Sequence, residues 1–146
     1  MTMETLEALQ RYASRFEALD AAAVAQLHEV MSEGIHFVDP FNDVHGIDTV
    51  KRLFDDMFEH LEEARFTVKH AALDSMTADT GMLGWELNAR FRGKPYRVVG
   101  MSEVTIGSDG LISRHIDHWD AGRQFYEHLP IVGSLLRGIR KRLKIS

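Results

Sequence analysis

The amino-acid sequence predicts an α+β fold in which helices pack on one curved antiparallel sheet. Apolar residues recur at helical spacing through the first thirty residues and again over residues 46–64, whereas the apolar period changes to two from residue 65 onward. A last helical stripe follows near the C-terminus, so the predicted order is helix, helix, strand, helix, four strands, helix. The chain has 146 residues, of which 45% are apolar, and we expect a single domain over residues 1–146.

The N-terminal half is predicted to hold three helices and one strand. Two short helices are marked by apolar side chains at helical spacing: Leu6, Leu9, Ala13 and Phe16, and then Val24, Leu27 and Met31. The segment "IHFVD" alternates as a strand, with Asp39 on the face of Ile35 and Phe37, and Pro40 ends it because proline has no N–H to donate. The segment "FNDVHG" is typical of a turn, and a third helix follows over residues 46–64.

The C-terminal half is predicted to hold four strands and a final helix. The strand candidates cover residues 65–76, 81–92, 95–106 and 111–120, and "RGKP" and "GSDG" are the hairpin turns between the last three. One apolar stripe over residues 121–146 then predicts a basic amphipathic helix. Its basic residues can form a solvated face, or the helix can rest on an anionic membrane surface. In a third reading its apolar stripe, with Leu135, Leu136 and Ile139, covers the opening of the cone as a lid.

Composition excludes several classes of site and partner. The chain has no cysteine, which rules out disulfides, thiolate zinc sites and cysteine nucleophiles. Five of its 17 Lys and Arg lie in the last ten residues, so residues 1–136 hold 12 basic and 22 acidic side chains, which argues against nucleic-acid binding.

The phosphate loop and the GxGxxG, GxSxG and HExxH motifs are absent, and we expect no cofactor. The N-terminus lacks the pattern of a signal peptide, so a cytoplasmic location is expected.

Four stretches carry a resemblance to a known family: "QRYASRFEALD", "FVDPFNDVHGIDTVKRLF", "RVVGMSEVTI" and "IDHWD". Together with the element order, they resemble the nuclear transport factor 2-like (cystatin-like) fold that ketosteroid isomerases, limonene epoxide hydrolases and SnoaL-like polyketide cyclases share. The resemblance covers about residues 5–122 and implies a cone-shaped sheet wrapped by the N-terminal helices. The helix after residue 122 has no counterpart in short isomerases.

The resemblance to ketosteroid isomerases implies three catalytic residues. Asp39 stands in the position of the proton-shuttling base, while Tyr12 and Glu103 stand in the positions of the groups that hold the enolate oxygen. Glu103 is one methylene longer than the aspartate of that family. The alternative for each acid is a structural role, in which it caps a helix, pairs with Arg97 or reaches solvent, and the alternative for Tyr12 is a core position with a satisfied hydroxyl.

Further residues are expected to form the wall of the cavity. If the Glu103 face of its strand lines the cone, Met101 lies beside it. The other expected lining residues are Phe37, Phe54, Trp85, His115, Asp117 and Trp119. His115 and His118 are three apart on a predicted strand and so point to opposite faces, and we expect no metal site there.

The epoxide hydrolases of this fold are a weaker match. Asp117 matches one carboxylate of their Asp, Arg, Asp set, but Glu86 and Asn88 stand where the arginine and the other aspartate are expected. A hydrolase with that mechanism therefore has less support.

Both faces of the predicted strand over residues 97–106 are largely apolar, so a second subunit is expected to cover the outer face. The sequence predicts a homodimer that binds a small apolar ligand. The leading hypothesis is a cofactor-independent enzyme that transfers a proton within an apolar carbonyl substrate. The alternatives are a non-catalytic ligand-binding or dimerisation module of the same fold and, third, an epoxide hydrolase or polyketide cyclase.

Overall fold

The computed structural model describes residues 3–145, so residues 1, 2 and 146 of the predicted domain lie outside the described part. It contains one six-stranded sheet in the order β2-β1-β6-β5-β4-β3. The strands are β1 Met31–Val38, β2 Asp43–His45, β3 Glu62–Leu73, β4 Thr80–Phe91, β5 Lys94–Ile106 and β6 Ile112–His118. The helices are α1 Met3–Glu17, α2 Ile47–His60, α3 Ala121–Gln124 and α4 Val132–Leu143, with short 3₁₀ helices at Ala23–Glu29 and Tyr126–His128.

The predicted α+β class is confirmed, and the core lies between the helices and one face of the sheet. Helix α1 packs on β3, and α2 packs on β1. Their apolar stripes supply buried residues such as Leu9, Phe16 and Phe54, which meet Leu83 and Trp85 of β4. The N-terminal helices therefore cover the inner face of the sheet, where burial of apolar side chains stabilises the fold.

The sheet is mixed, because β1 pairs with β6 in parallel whereas the other pairings are antiparallel. The chain leaves β1 for the edge strand β2, crosses through α2 to the far edge and returns strand by strand to β6. Parallel pairing brings the C-terminal ends of β1 and β6 to the same end of the sheet. The segments after Val38 and after His118 are therefore neighbours.

The "FNDVHG" segment, expected to be only a turn, contains the three-residue strand β2. Its pairing with β1 matches His36 with His45 and Val38 with Asp43. The expected hairpin at "RGKP" is confirmed, because the two loop residues Arg92 and Gly93 have positive φ angles of 52° and 78°, as in a type I′ turn.

The C-terminal segment forms three pieces where one helix was predicted. Leu129 is extended, with φ −83° and ψ 144°, because the following Pro130 disfavours helical backbone at the residue before it. The apolar stripe of α4 is exposed, with Leu135 64% and Leu143 78% accessible. None of the helices within residues 3–145 is long and apolar enough to cross a membrane.

Candidate active site

Strand β5 determines which side chains can reach the space under the helices. Val98, Ser102 and Val104 are buried on the inner face, whereas Val99 and Met101 on the outer face are 48% and 51% exposed. Glu103 shares the outer face and lies opposite Ile116 of β6.

The expectation that Glu103 and Met101 line the cone is therefore corrected. The sequence shows two largely apolar faces on this strand, and alternation alone does not say which of them the helices cover.

A small cavity lies between the inner face and the helices α1 and α2. Its wall is mostly aromatic and aliphatic, and it is formed by Phe16, Phe54, Phe66, Val68, Leu83, Trp85, Ser102, His115 and Asp117. The volume open to the centre of a water molecule is about 30 Å³. Since one water needs roughly 10–15 Å³ on this measure, the closed cavity has room for about two waters. Ligand binding would require it to expand.

A chain of hydrogen bonds runs through the wall of the cavity. The Tyr12 hydroxyl lies 2.6 Å from His115 Nδ1, and His115 Nε2 lies 2.6 Å from Asp117 Oδ1. The Ser102 hydroxyl donates to the same Oδ1 at 2.5 Å, and Trp85 Nε1 donates to the Ser102 oxygen at 2.8 Å. The chain thus converges on one carboxylate oxygen from two sides.

The direction of these bonds follows from the carboxylate at their end. A carboxylate oxygen only accepts, so a proton on His115 Nε2 makes the bond to Asp117 Oδ1. In the neutral imidazole Nδ1 is then an acceptor, and the Tyr12 hydroxyl can donate to it. Burial raises the pKa of the Tyr12 hydroxyl well above its ordinary value, and the negative charge of Asp117 raises it further, so the phenol keeps the proton that this bond uses.

This arrangement leaves one oxygen of Asp117 available. Oδ1 accepts hydrogen bonds from His115 and Ser102. No residue between positions 3 and 145 donates a hydrogen bond to Oδ2. A carboxylate that is held at one oxygen and unused at the other, on an apolar wall, is suited to accept a proton from a ligand.

Strand register explains how the polar residues meet. His115 and Asp117 are two apart on β6 and so share a face, and the ladder places Ser102 of β5 directly opposite Asp117. Phe37 of β1 lies beside His115 in the parallel ladder, and their rings stack at 4.7 Å. Phe37 therefore packs against the His115 ring, and it is not among the residues that line the cavity.

Gly100 makes room for the Trp85 indole. The two residues are directly opposite on β5 and β4. A Cβ at Gly100 would lie 2.7 Å from Trp85 Cζ2, closer than real contacts allow. The absence of a side chain at this position lets the indole lie across the sheet and reach Ser102.

Asp39 is used in a turn. Its Oδ1 accepts the backbone N–H groups of Phe41 and Asn42, each at 2.8 Å, and the Asn42 side-chain amide contacts both of its carboxylate oxygens. Asp39 is not part of the described cavity wall. The structure therefore does not bring Asp39, Tyr12 and Glu103 together around one cavity, and the contacts of Asp39 are those of a turn.

Trp119 lies just beyond the end of β6, in a group that we call the aromatic cap, composed of Phe41, Trp119, Phe125 and Tyr126. The Phe41 ring contacts the other three rings edge-on at centroid distances of 5.5, 5.2 and 5.9 Å. Because Phe41 follows β1 and Trp119 follows β6, the cap lies at the end of the sheet nearest to Asp117.

Glu86 lies on the outer face of β4 and forms ion pairs with Arg97 and Lys69. The hydrogen bond from Arg97 is the main reason that the pKa of Glu86 is below its ordinary value. Glu86 is thus unavailable to Asp117, in keeping with the weak match to the epoxide-hydrolase residues.

Four of the residues expected from the sequence line the cavity, namely Phe54, Trp85, His115 and Asp117. Three other lining residues are not predicted from the sequence: Ser102, Phe16 and Phe66. One signal could have found Ser102. On its strand, the face with Gly100 and Ser102 is free of charge, whereas the opposite face carries Arg97 and Glu103. Solvation of charges favours the second face as the outer one.

A curved sheet with helices over its inner face and a polar group inside an apolar cavity is the architecture of the nuclear transport factor 2-like proteins. Residues 9–115 match the SnoaL-like domain, and the chain belongs to that family. No curated protein is significantly similar to it in sequence.

Solved structures show the same fold. An NTF2-like protein of unknown function from Exiguobacterium sp. 255-15 is 24% identical, with 77% of this chain and 98% of that one covered and a TM-score of 0.67. A candidate SnoaL-like polyketide cyclase from Jannaschia sp. CCS1 is 18% identical, with 80% and 85% covered and a TM-score of 0.65. An LEH-like epoxide hydrolase from Mycobacterium tuberculosis is 14% identical, with 97% and 96% covered and a TM-score of 0.65. At these identities the similarity shows the fold alone.

Proposed function

We propose that this protein is a cofactor-independent enzyme that transfers a proton within a small apolar carbonyl substrate, with Asp117 as its general base. The observation that carries the proposal is the carboxylate of Asp117, which two donors hold at Oδ1 and whose Oδ2 is unused on an apolar wall. The base therefore differs from Asp39, the residue that the resemblance to ketosteroid isomerases suggests.

The proposed reaction begins with the transfer of a proton from the carbon next to the substrate carbonyl to Asp117 Oδ2. The C–H electron pair moves into the carbonyl group, so an enolate forms as the carboxyl becomes neutral. Returning the proton to another carbon isomerises the substrate, and attack of the enolate carbon on a second carbonyl closes a ring. In isomerisation the proton of Asp117 goes to carbon, and in ring closure it goes to the alkoxide oxygen that the attack forms. Both outcomes are redox-neutral, and both return Asp117 to its ionised form.

The other members of the hydrogen-bond chain have supporting roles in this proposal. Tyr12 is a positioning residue, because its hydroxyl holds the His115 tautomer that donates to Asp117. Ser102 donates to the carboxylate in the resting state. When Asp117 becomes neutral, the Ser102 hydroxyl can rotate towards the enolate oxygen and stabilise its charge.

Entry of a substrate requires an opening, because ligand sites for small molecules commonly measure about 300–1,000 Å³. The aromatic cap, at the end of the sheet nearest to Asp117, is the element that we propose to move. It belongs to the turn after β1 and the segment after β6, and Phe41 is 47% exposed. Its contacts are ring edges, which can separate without breaking a hydrogen bond.

The experiment measures exchange of hydrogen for deuterium next to the carbonyl, which reports proton transfer without knowledge of the natural product. A panel of small cyclic ketones and 1,3-diketones is incubated in D₂O with wild type, Asp117→Asn or Asp39→Asn, and the C–H signals are followed by NMR. Asp39→Asn is the matched control, since an asparagine oxygen can still accept the N–H groups of the turn.

We expect wild type and Asp39→Asn to accelerate exchange and Asp117→Asn to be slower by about 10²–10⁴-fold, the usual contribution of a general base. Loss of exchange in Asp39→Asn with retention in Asp117→Asn would overturn the assignment. Saturable binding of the panel without exchange above the protein-free rate would favour the second candidate function, a ligand-binding module. The observation that favours this second candidate is the small volume of the closed cavity.

We also propose that a second copy of the chain covers the outer face of the sheet. Val99 and Met101 are about half exposed there, as a covered apolar face would be in an isolated chain. Light scattering should give a dimer for wild type and a monomer for Met101→Lys. Met76→Lys, at a position that is 87% exposed, is the control that should remain dimeric. A monomeric wild type would exclude this interface.

A further inference from the structure

The edge hairpin of β1 and β2 carries a cluster of side chains that the cavity does not use. His36 and His45 are directly opposite each other on the two strands. The N–H of Gly46 donates to the Ile35 carbonyl at 2.8 Å, which makes this a pair without hydrogen bonds between its own two residues. In such pairs the side chains are at their closest, with the Cα atoms about 4.5 Å apart. The two imidazoles stack with centroids 4.2 Å apart and an angle of 11°.

A carboxylate completes the cluster. Asp43 lies two residues before His45 on the same face, and its Oδ1 is 2.6 Å from His36 Nε2. One ligand atom from each of His36, Asp43 and His45 lies within 4.8 Å of the others. Ligand atoms on one tetrahedral zinc ion, with bonds of about 2.0–2.1 Å, are roughly 3.3 Å apart. Rotation of exposed side chains covers the remaining difference.

The cluster lies on the opposite face of β1 from the cavity, because His36 alternates with Phe37, which contacts His115. Asp43 and His45 are exposed, and His36 is half-buried. A hydrogen bond between His36 and Asp43 accounts for two members. Among residues 3–145, none forms a hydrogen bond or ion pair with His45, and its ring stacks on that of His36. Arg114 is the neighbouring cation, next to His36 in the ladder and exposed.

We propose that His36, Asp43 and His45 bind a divalent transition-metal ion of the zinc type, with water in the remaining coordination positions. Two imidazoles and one carboxylate favour zinc over magnesium or calcium, which prefer ligand sets made of oxygen. The metal would join β2 to β1 and so hold the turn that carries Phe41 of the aromatic cap. The site shares no residue with the proposed acid–base chain, so metal binding can be tested apart from activity.

The test is titration of the metal-free protein with Zn²⁺, followed by calorimetry and by NMR of the histidine rings. We expect one ion per chain, with shifts at His36 and His45 and none at His115. His45→Gln should weaken binding by on the order of tenfold or more, since even the loss of an outer partner costs about 10–100-fold. His60→Gln, at an exposed histidine in α2, is the matched control and should bind as wild type does.

Two results would overturn the proposal. One is the absence of calorimetric Zn²⁺ binding by a folded wild-type protein. The other is Zn²⁺ binding that His45→Gln leaves unchanged or that shifts other histidines in place of His36 and His45, which would indicate scattered surface binding. Because the readouts do not use activity, failure of the acid–base proposal does not affect them.

Discussion

Replacement of Tyr12 by phenylalanine tests the direction of the hydrogen-bond chain. The change keeps the ring, including its edge contact with Phe16 at 5.0 Å, and removes the hydroxyl that donates to His115 Nδ1. His115 is only 2% exposed, so water cannot readily replace the lost donor. A buried acceptor left without a partner costs about 1–3 kcal/mol. For a chain of this size we expect the melting temperature to fall by roughly 2–12 °C.

The same variant has a signature at alkaline pH. The pKa of Tyr12 is raised in the folded state, so its contribution to stability is complete below about pH 10, the ordinary tyrosine value, and is lost as pH rises towards the folded value. Phenylalanine does not titrate. The difference in unfolding free energy between wild type and Tyr12→Phe should therefore shrink by about 1.4 kcal/mol per pH unit above pH 10. Tyr96, whose pKa burial also raises, is common to both proteins and cancels.

Urea denaturation at neutral pH and at several values above about pH 10 measures both effects, the higher range being the one in which an ordinary tyrosine ionises. Tyr126→Phe is the matched control, because the Tyr126 hydroxyl makes no hydrogen bond to any described residue, and it should lose little stability. Nitrogen NMR of the His115 ring should report a proton on Nε2 in wild type. Equal stability of wild type and Tyr12→Phe at neutral pH would refute the hydrogen bond donated to His115, and parallel alkaline slopes would refute the raised pKa of Tyr12.

Two further substitutions test the sheet, and one in α4 is compared with them. Gly100→Ala places a methyl group 2.7 Å from the Trp85 indole and should cost about 1–3 kcal/mol, with a change in tryptophan fluorescence. Gly138→Ala in α4, where a methyl group meets no atom within 4 Å, should stabilise by about 0.5–1 kcal/mol, and equal effects of the two glycine substitutions would contradict the packing. The Arg97 hydrogen bond lowers the pKa of Glu86, so wild type loses the stability that this pair contributes as pH falls below the ordinary glutamate range. Glu86→Gln should therefore make the free energy of unfolding depend less steeply on pH in acid. An unchanged acid dependence would contradict the role of this hydrogen bond.

The sequence predicts α1, α2 and the hairpin between β4 and β5 because their signals are local, whereas the predicted helix with Val24, Leu27 and Met31 is a 3₁₀ helix that ends before Met31 of β1. The apolar stripe of α2 and the Arg92–Gly93 turn each depend on a few consecutive residues. The parallel pairing of β1 with β6 depends on residues about eighty positions apart, and no local period encodes it. Strand β2 is only three residues long and lies between turn-forming residues, so its apolar alternation is too short to detect.

The candidate site is only partly predictable, because some of its contacts are local and others join distant parts of the chain. Spacing on one strand is enough to place His115 and Asp117 on a common face, but the bond from Tyr12 to His115 joins positions 103 apart. The surroundings of Asp39 are harder to predict, because an acid beside aromatic residues is compatible with a cavity wall as well as with a turn. The deciding local signal is Asn42 and Pro40 near it, since aspartate commonly accepts N–H groups of the next residues in such turns.

The energetics of the hydrogen-bond chain favour a functional reading over a structural one. Burying a carboxylate in apolar surroundings is costly, and here donors from His115 and Ser102 are needed to offset that cost. Replacing such a buried polar set by well-packed apolar residues is often neutral or stabilising, so stability alone gives little reason to hold an acid there. A fold that needed only a core could fill the same space with leucine and phenylalanine. The chain instead directs hydrogen bonds to one oxygen of Asp117, and no described residue donates one to the other, an arrangement that suits the proposed proton acceptor.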